Sequence, residues 1–196
     1  MKMGSVSALI RAPWPRSLLL AASLLAGAPA LSCNLGAQAA PSREYQIKAA
    51  FLFNFGQFVT WGPGAFADAD APFVIGVLGD DPFGPTLDAL VAGETVQGRR
   101  AEIARYRGVE EVGACQILFI SSSEAARLDR VFAALAGRRI LLVGEAEGFA
   151  DRSGMIRFRI IDNRLRLEIN TAAAAGEGLT ISSRLLGLAD VVRTEE

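Results

Sequence analysis

The chain has 196 residues with 20 basic and 21 acidic side chains, a formal charge of −1, two cysteines and no histidine. The lack of histidine excludes a histidine-based catalytic triad, a Cys-His nucleophile pair and the usual zinc sites, so neither a metal nor a cofactor is expected. A charge balance this close to neutral also gives little to hold nucleic acid.

Residues 1–39 contain Lys2, Arg11 and Arg16 and no acid, followed by an apolar small-residue run from Ser17 to Ala30 and a small-x-small site at Ala37-Gln38-Ala39. This pattern predicts a secretory signal peptide over 1–39, cut after Ala39, and a single domain over 40–196 in the periplasm. The apolar run falls short of the roughly 20 residues of a membrane span. An uncleaved anchor and a lipid on Cys33 are the alternatives, although Ala30-Leu31-Ser32-Cys33 is a poor lipid-attachment box. Loss of the leader's three basic residues leaves 17 against 21 acids, a mildly acidic domain with Cys115 as its one cysteine. A disulfide from Cys115 to Cys33 would require that the leader is retained.

The segment Glu44 to Trp61, EYQIKAAFLFNFGQFVTW, reads as a helix that is apolar almost all the way round, with four of the chain's eleven phenylalanines. Ser42 suits an N-cap, Glu44 precedes Lys48 by four residues, and Gly62-Pro63-Gly64 marks the end. Helical spacing groups Ile47, Phe51, Phe55, Phe58 and Val59 on one side, taken as the core side. Phe53 and Trp61 lie off that side. The continuous apolar run Phe73 to Leu78 predicts a buried strand that exits at Gly79-Asp80-Asp81-Pro82, and Pro85 to Val91 a short helix. Adjacent Asp80 and Asp81 in a turn-rich loop read as solvated turn residues rather than an acid/base pair, which leaves a hydrolase the least supported class.

Ala101 to Arg105 is a short alternating strand, and Gln116 to Ile120 a second continuous apolar run that ends in Ser121-Ser122-Ser123-Glu124, a helix start with acid in its first turn. The helix that follows carries Ala125, Leu128, Val131, Phe132 and Leu135 on one side up to Gly137, and Arg139 to Val143 is a third apolar strand. Ile156, Phe158 and Ile160 then alternate into an Asp162-Asn163 turn and return as Leu165, Leu167 and Ile169, a hairpin with one buried face. Its other face carries Arg157, Arg159, Arg164, Arg166 and Glu168. A last helix is predicted over Ser182 to Val192, with Leu185, Leu186, Leu188 and Ala189 inward. Helices between continuous apolar strands predict an α/β single-domain sandwich, its central sheet mostly parallel and flanked by helices, with a C-terminal antiparallel β-hairpin.

The blocks EYQIKAAFLFNFGQFVTW, FVIGVLGDDPFG, CQILFISSSE, GRRILLVGE, GFADRSGMIRF, LRLEIN and GLTISSRLLGLA, in this order, resemble the YfiR family over essentially the whole of 40–196. The resemblance implies an exported, non-enzymatic α/β regulator that binds the periplasmic sensory domain of a membrane diguanylate cyclase and represses it, within cyclic-di-GMP signalling. A sensor kinase is the alternative membrane-bound partner, and self-association into a homodimer is left open. Two departures stand out. The founding member carries a cysteine where this chain has Gly76, and a second cysteine pair is replaced by Ala150 and Arg157, so the family's redox sensitivity does not transfer and Cys115 is expected to be free.

Two surfaces are expected to matter. Partner binding is expected through Phe53, Asn54, Gln57 and Trp61 of the first helix and through Arg157, Arg159, Arg164 and Arg166 of the hairpin. A small-ligand site, the alternative function, would use the exit loops of the parallel strands at one sheet edge, through Gly79, Asp80, Asp81, Phe83, Ser121, Ser122, Ser123 and Glu145. These loops hold no GxGxxG or Walker A sequence, so no nucleotide site is signalled.

Overall fold

The computed structural model describes residues 42–192, and its frame is the set of continuous apolar runs. β2 (Phe73–Leu78), β5 (Ile117–Ile120) and β6 (Leu141–Gly144) lie side by side and parallel, almost wholly buried, as strands covered on both faces must be. β4 (Arg99–Tyr106) adds in parallel to the other side of β2, and β3 (Thr95–Val96) closes that edge as a short antiparallel strand. β7 (Ile156–Ile161) joins β6 in parallel and turns back through Asp162-Asn163 into antiparallel β8 (Arg164–Asn170). The sheet order is β10-β8-β7-β6-β5-β2-β4-β3, with β10 (Ala189–Val192) parallel to β8.

The helices sort to the two faces by side-chain alternation. α1 (Arg43–Phe58) lays Phe55 flat on Phe158 of β7, with ring centroids 5.9 Å apart, and α2 (Pro85–Val91) follows the β2 exit loop. Phe119 bridges this layer, 4.8 Å from Phe83 and 6.5 Å from Phe158. On the opposite face α3 (Leu128–Leu135) buries Leu128, Val131, Phe132 and Leu135, and Phe132 meets the Phe149 ring edge-on. The apolar residues of both layers join in one cluster running from Ala49 to Leu185, so residues 42–192 close a complete core of their own. Among them no helix is long and apolar enough to cross a membrane. The predicted leader and Cys33 lie outside the described residues.

Two expectations are corrected, and one element was not foreseen. The first helix stops at Phe58, and Val59–Trp61 becomes β1, an antiparallel partner of β9 (Leu179–Ile181). Val-Thr-Trp is a β-branched and aromatic run, and pairing with β9 outweighs one more helical turn. The last helix shrinks to α5 (Ser183–Leu186), because Gly187 ends it and Ala189–Val192 gains a backbone ladder on β8. A further short helix, α4 (Thr171–Gly176), is capped by the Asn170 side chain, which accepts from the Ala173 amide.

Gly144 is required by close approach. A Cβ there would lie 2.5 Å from the fully buried Phe149 ring. Gly144→Ala is therefore expected to lower stability in urea unfolding by about 1–3 kcal/mol. Gly176→Ala, at a helical position with open space around it, is expected to be neutral or to stabilise by up to about 1 kcal/mol.

Candidate partner-docking surface on the first helix

The inward arc of α1 consists of Lys48, Ala49, Leu52, Phe55 and Gly56. The small residues Ala49 and Gly56 bring the helix close to its neighbours, and a Cβ on Gly56 would lie 2.6 Å from Val96 Cγ1. Lys48 is the unexpected member of this arc, a lysine with a side chain only 3% exposed. Its Nζ pairs with Glu44 one turn earlier and, at 2.5 Å, with Glu145 Oε2 in the exit loop of β6. The Tyr45 hydroxyl donates to the other oxygen of Glu145 at 2.9 Å, and the Tyr45 ring lies 4.5 Å from the ammonium and edge-on to Phe83. Burial, and then the Glu145 carboxylate, hold the Tyr45 hydroxyl well above its ordinary range, so it stays a donor.

With that arc fixed, Ile47, Ala50, Phe51, Asn54 and Phe58 turn toward a groove shared with Leu185 and Leu188. The groove holds about 580 Å³ and has Arg43 and Gln46 at its rim. Ile47 is 42% and Leu188 66% exposed, values that mark an apolar surface beyond the ordinary scatter of surface leucines and isoleucines. Spacing places Ile47 and Phe58 on the core side, yet they border this open groove. Leu188, expected inward on a final helix, lies beyond the end of α5 and lines the groove. For the two α1 residues the usable signal is the pair of small residues, Ala49 and Gly56, which mark where the helix packs most closely.

The residues expected at the partner surface divide. Asn54 lines the groove and donates to the Ala50 carbonyl at 2.8 Å, and Gln57 is exposed. Phe53 is half-buried against the core. Trp61 is a correction: it is 8% exposed, edge-on to Phe73 at 5.1 Å, and its indole N–H donates to the Gln116 carbonyl at 3.2 Å. The β1 pleat turns it inward, and it is a core residue. On the hairpin, Arg157 is largely buried and shares Glu168 with Arg159, at 3.2 and 3.4 Å, while Arg164 and Arg166 are exposed.

The parallel pairing does bring the exit loops of β2, β5 and β6 to one sheet edge, where several of their polar groups are engaged with one another. Asp81 Oδ1 accepts from the amides of Phe83 and Gly84, and its Oδ2 meets Arg105 at 2.7 Å. Arg105 also pairs with Asp88, whose carboxyl it holds below the usual range. The Asp80 amide donates to Ser123 Oγ at 3.0 Å, and a Cβ on Gly79 would collide with that oxygen. Ser121 caps the 3-10 turn Ser122–Arg127, in which Ser122 is exposed. Phe83 is wholly buried and Glu145 is taken by α1. Among the described residues no cluster of His, Cys, Asp and Glu could hold a metal ion.

Cys115 is free and buried at the start of β5. A Cβ on Gly76 would lie 3.5 Å from its sulfur, which places the missing partner of the family's pattern beside it. Burial pushes the thiol up to about 12, against a smaller opposing effect of Arg138. In the chain from Ala40 onward, Cys115 is expected to stay unmodified by a thiol reagent at about pH 8 and to react fully once unfolded. Rapid native labelling would instead require an accessible thiolate.

The YfiR/HmsC-like family model matches residues 45–190, from the tyrosine that contacts Glu145 to the second residue of the last strand. No curated protein matches the sequence.

Proposed function

The chain belongs to the YfiR/HmsC-like family, and from that premise we propose that it is an exported, non-enzymatic regulator. In this reading it binds the periplasmic sensory domain of a membrane diguanylate cyclase and holds the cyclase in its inactive state. The family match and the leader-like residues 1–39 support export. The observation that carries the docking step is the apolar groove between α1 and Leu185 and Leu188, open on a helix whose other side is fixed to the sheet.

Such a regulator acts only through a difference in affinity, binding the inactive conformation of its partner more tightly than the active one. A preference of about 2 kcal/mol shifts a two-state partner roughly thirtyfold. The groove supplies what such docking uses: an aromatic floor in Phe51 and Phe58, exposed aliphatic walls in Ile47 and Leu188, and a polar rim with Arg43 and Asn54. Interfaces concentrate their energy in buried aromatic and aliphatic anchors surrounded by such a rim.

Ile47→Glu and Leu188→Glu, both at exposed positions, are expected to weaken capture of the partner's periplasmic domain at least tenfold. Thermal stability should stay near that of the wild type, and cyclic-di-GMP in the producing cell should rise. Full capture by both variants would sink the assignment of the groove, and unchanged cyclic-di-GMP on deletion of the whole chain would sink the regulatory reading.

A further inference from the structure

The β7–β8 hairpin extends past both of its neighbours. β6 pairs with β7 no further than Arg157, and β10 pairs with β8 only from Leu167, yet β7 and β8 stay paired out to Ile161 and Arg164. Residues 158–166 therefore overhang the sheet as a two-stranded blade. Its tip is the Asp162-Asn163 turn, where both residues have positive φ, 48° and 57°, as the hairpin-compatible type I′ turn demands. Ile160 and Ile161, adjacent in the strand, are 48% and 37% exposed. Consecutive strand positions point to opposite faces, so the blade shows an apolar side chain on both. On one face Ile160 and Leu165 border a groove with Arg43 and Ile47 of α1. On the other lie Arg159, Ile161, Arg164 and Arg166.

That second face is electrostatically frustrated. Arg159 stands directly opposite Arg166 in the ladder, and like charges so placed destabilise a strand pair. Among the described residues, Arg164 and Arg166 form no salt bridge with an acid. The nearby carboxylates are otherwise placed: Glu168 serves Arg157 and Arg159, Glu44 serves Lys48, Asp162 sits in the turn, and Asp190 faces Glu168 from β10. A chain of formal charge −1 thus gathers four arginines around two exposed isoleucines at one protruding corner.

We propose that this blade docks on the surface of an anionic phospholipid bilayer, with Ile160 and Ile161 entering the boundary between headgroups and acyl chains and Arg43, Arg159, Arg164 and Arg166 binding lipid phosphates. A flat protein surface covers one face of a hairpin and leaves the other apolar side chain in water. A bilayer interface closes around both. Arginine stems can lie along the apolar zone while their guanidinium groups reach phosphate, and phosphate between Arg159 and Arg166 relieves their repulsion. Interfacial binding of this kind adds apolar burial to attraction by anionic lipid. The inference does not rest on the groove on α1: the two surfaces share Arg43 and Ile47, while Phe51, Phe58, Leu185 and Leu188 line the groove alone.

The test uses the chain from Ala40, checked for a native circular dichroism spectrum and melt, and co-sedimentation with vesicles. The wild type is expected to bind vesicles containing phosphatidylglycerol, to ignore pure phosphatidylcholine and to release at raised salt. Arg164→Ser with Arg166→Ser should lower partitioning about twenty-five-fold, since each arginine near an anionic surface contributes roughly fivefold. Ile160→Ser with Ile161→Ser should lower it about tenfold. Both double variants alter exposed side chains and should keep the wild-type melt. No binding of the wild type to phosphatidylglycerol vesicles, or equal binding by both variants, would overturn the proposal. So would loss of capture of the partner's domain by these variants with vesicles ignored throughout, which would make the blade a protein contact.

Discussion

The orientation of the first helix depends on one buried ammonium. Lys48 lies inside the protein with its charge shared between Glu44 of its own helix and Glu145 of the β6 exit loop, and Tyr45 ties down the remaining oxygen of Glu145. Removing such a charge from water costs several kcal/mol, which only close and well-bonded carboxylates offset, and breaking a pair of this kind typically costs about 3–5 kcal/mol. An interaction so dependent on geometry tolerates little rotation of α1. Phe55 on Phe158 fixes the next contact two turns along, and the two together decide which side chains stay outside. Ile47, Phe51, Asn54 and Phe58 border the groove because Lys48, Leu52 and Phe55 fill the interior.

The same lysine shows where sequence reasoning carries and where it stops. Continuous apolar runs announced β2, β5 and β6 as covered parallel strands, and the Asp162-Asn163 turn announced the hairpin, because burial and turn chemistry leave local marks. Trp61 could not be placed by spacing, since the helix ends three residues before it and the chain changes its period from 3.6 to 2 at Val59. That change is driven by pairing with Leu179–Ile181, more than a hundred residues away. A lysine on the inner arc is likewise invisible until Glu145 is known to meet it. Leu188 and Ala189 look like the apolar face of a helix, and only the free edge of β8 draws Ala189–Val192 into a strand and leaves Leu188 exposed in the turn before it.

The exit loops illustrate a related point. Glycines, serines and acids at the carboxyl edge of a parallel sheet are the usual material of a ligand site. Here they are arranged as a lock: Ser123 fills the space over Gly79, Asp81 and Asp88 hold Arg105, and Glu145 serves Lys48. The β6 exit loop at this edge anchors the first turns of α1 through Glu145. Open surface has moved to the outside of that helix and to the overhanging hairpin, and the two meet at one corner, where Arg43 and Ile47 line a groove with Ile160 and Leu165. In the proposed role such a corner has a use, since a blade resting on the bilayer would set the height and tilt at which the groove meets its partner.

The division of α1 into a fixed inner arc and a docking outer side is tested most directly by hydrogen–deuterium exchange of the chain with and without the partner's periplasmic domain. The complex should slow exchange across residues 47–58 and 185–188, around the groove, and leave the already protected strands β2, β5 and β6 unchanged. Slowed exchange confined to the exit loops at 79–84 and 121–124, with the first helix unaltered, would contradict it.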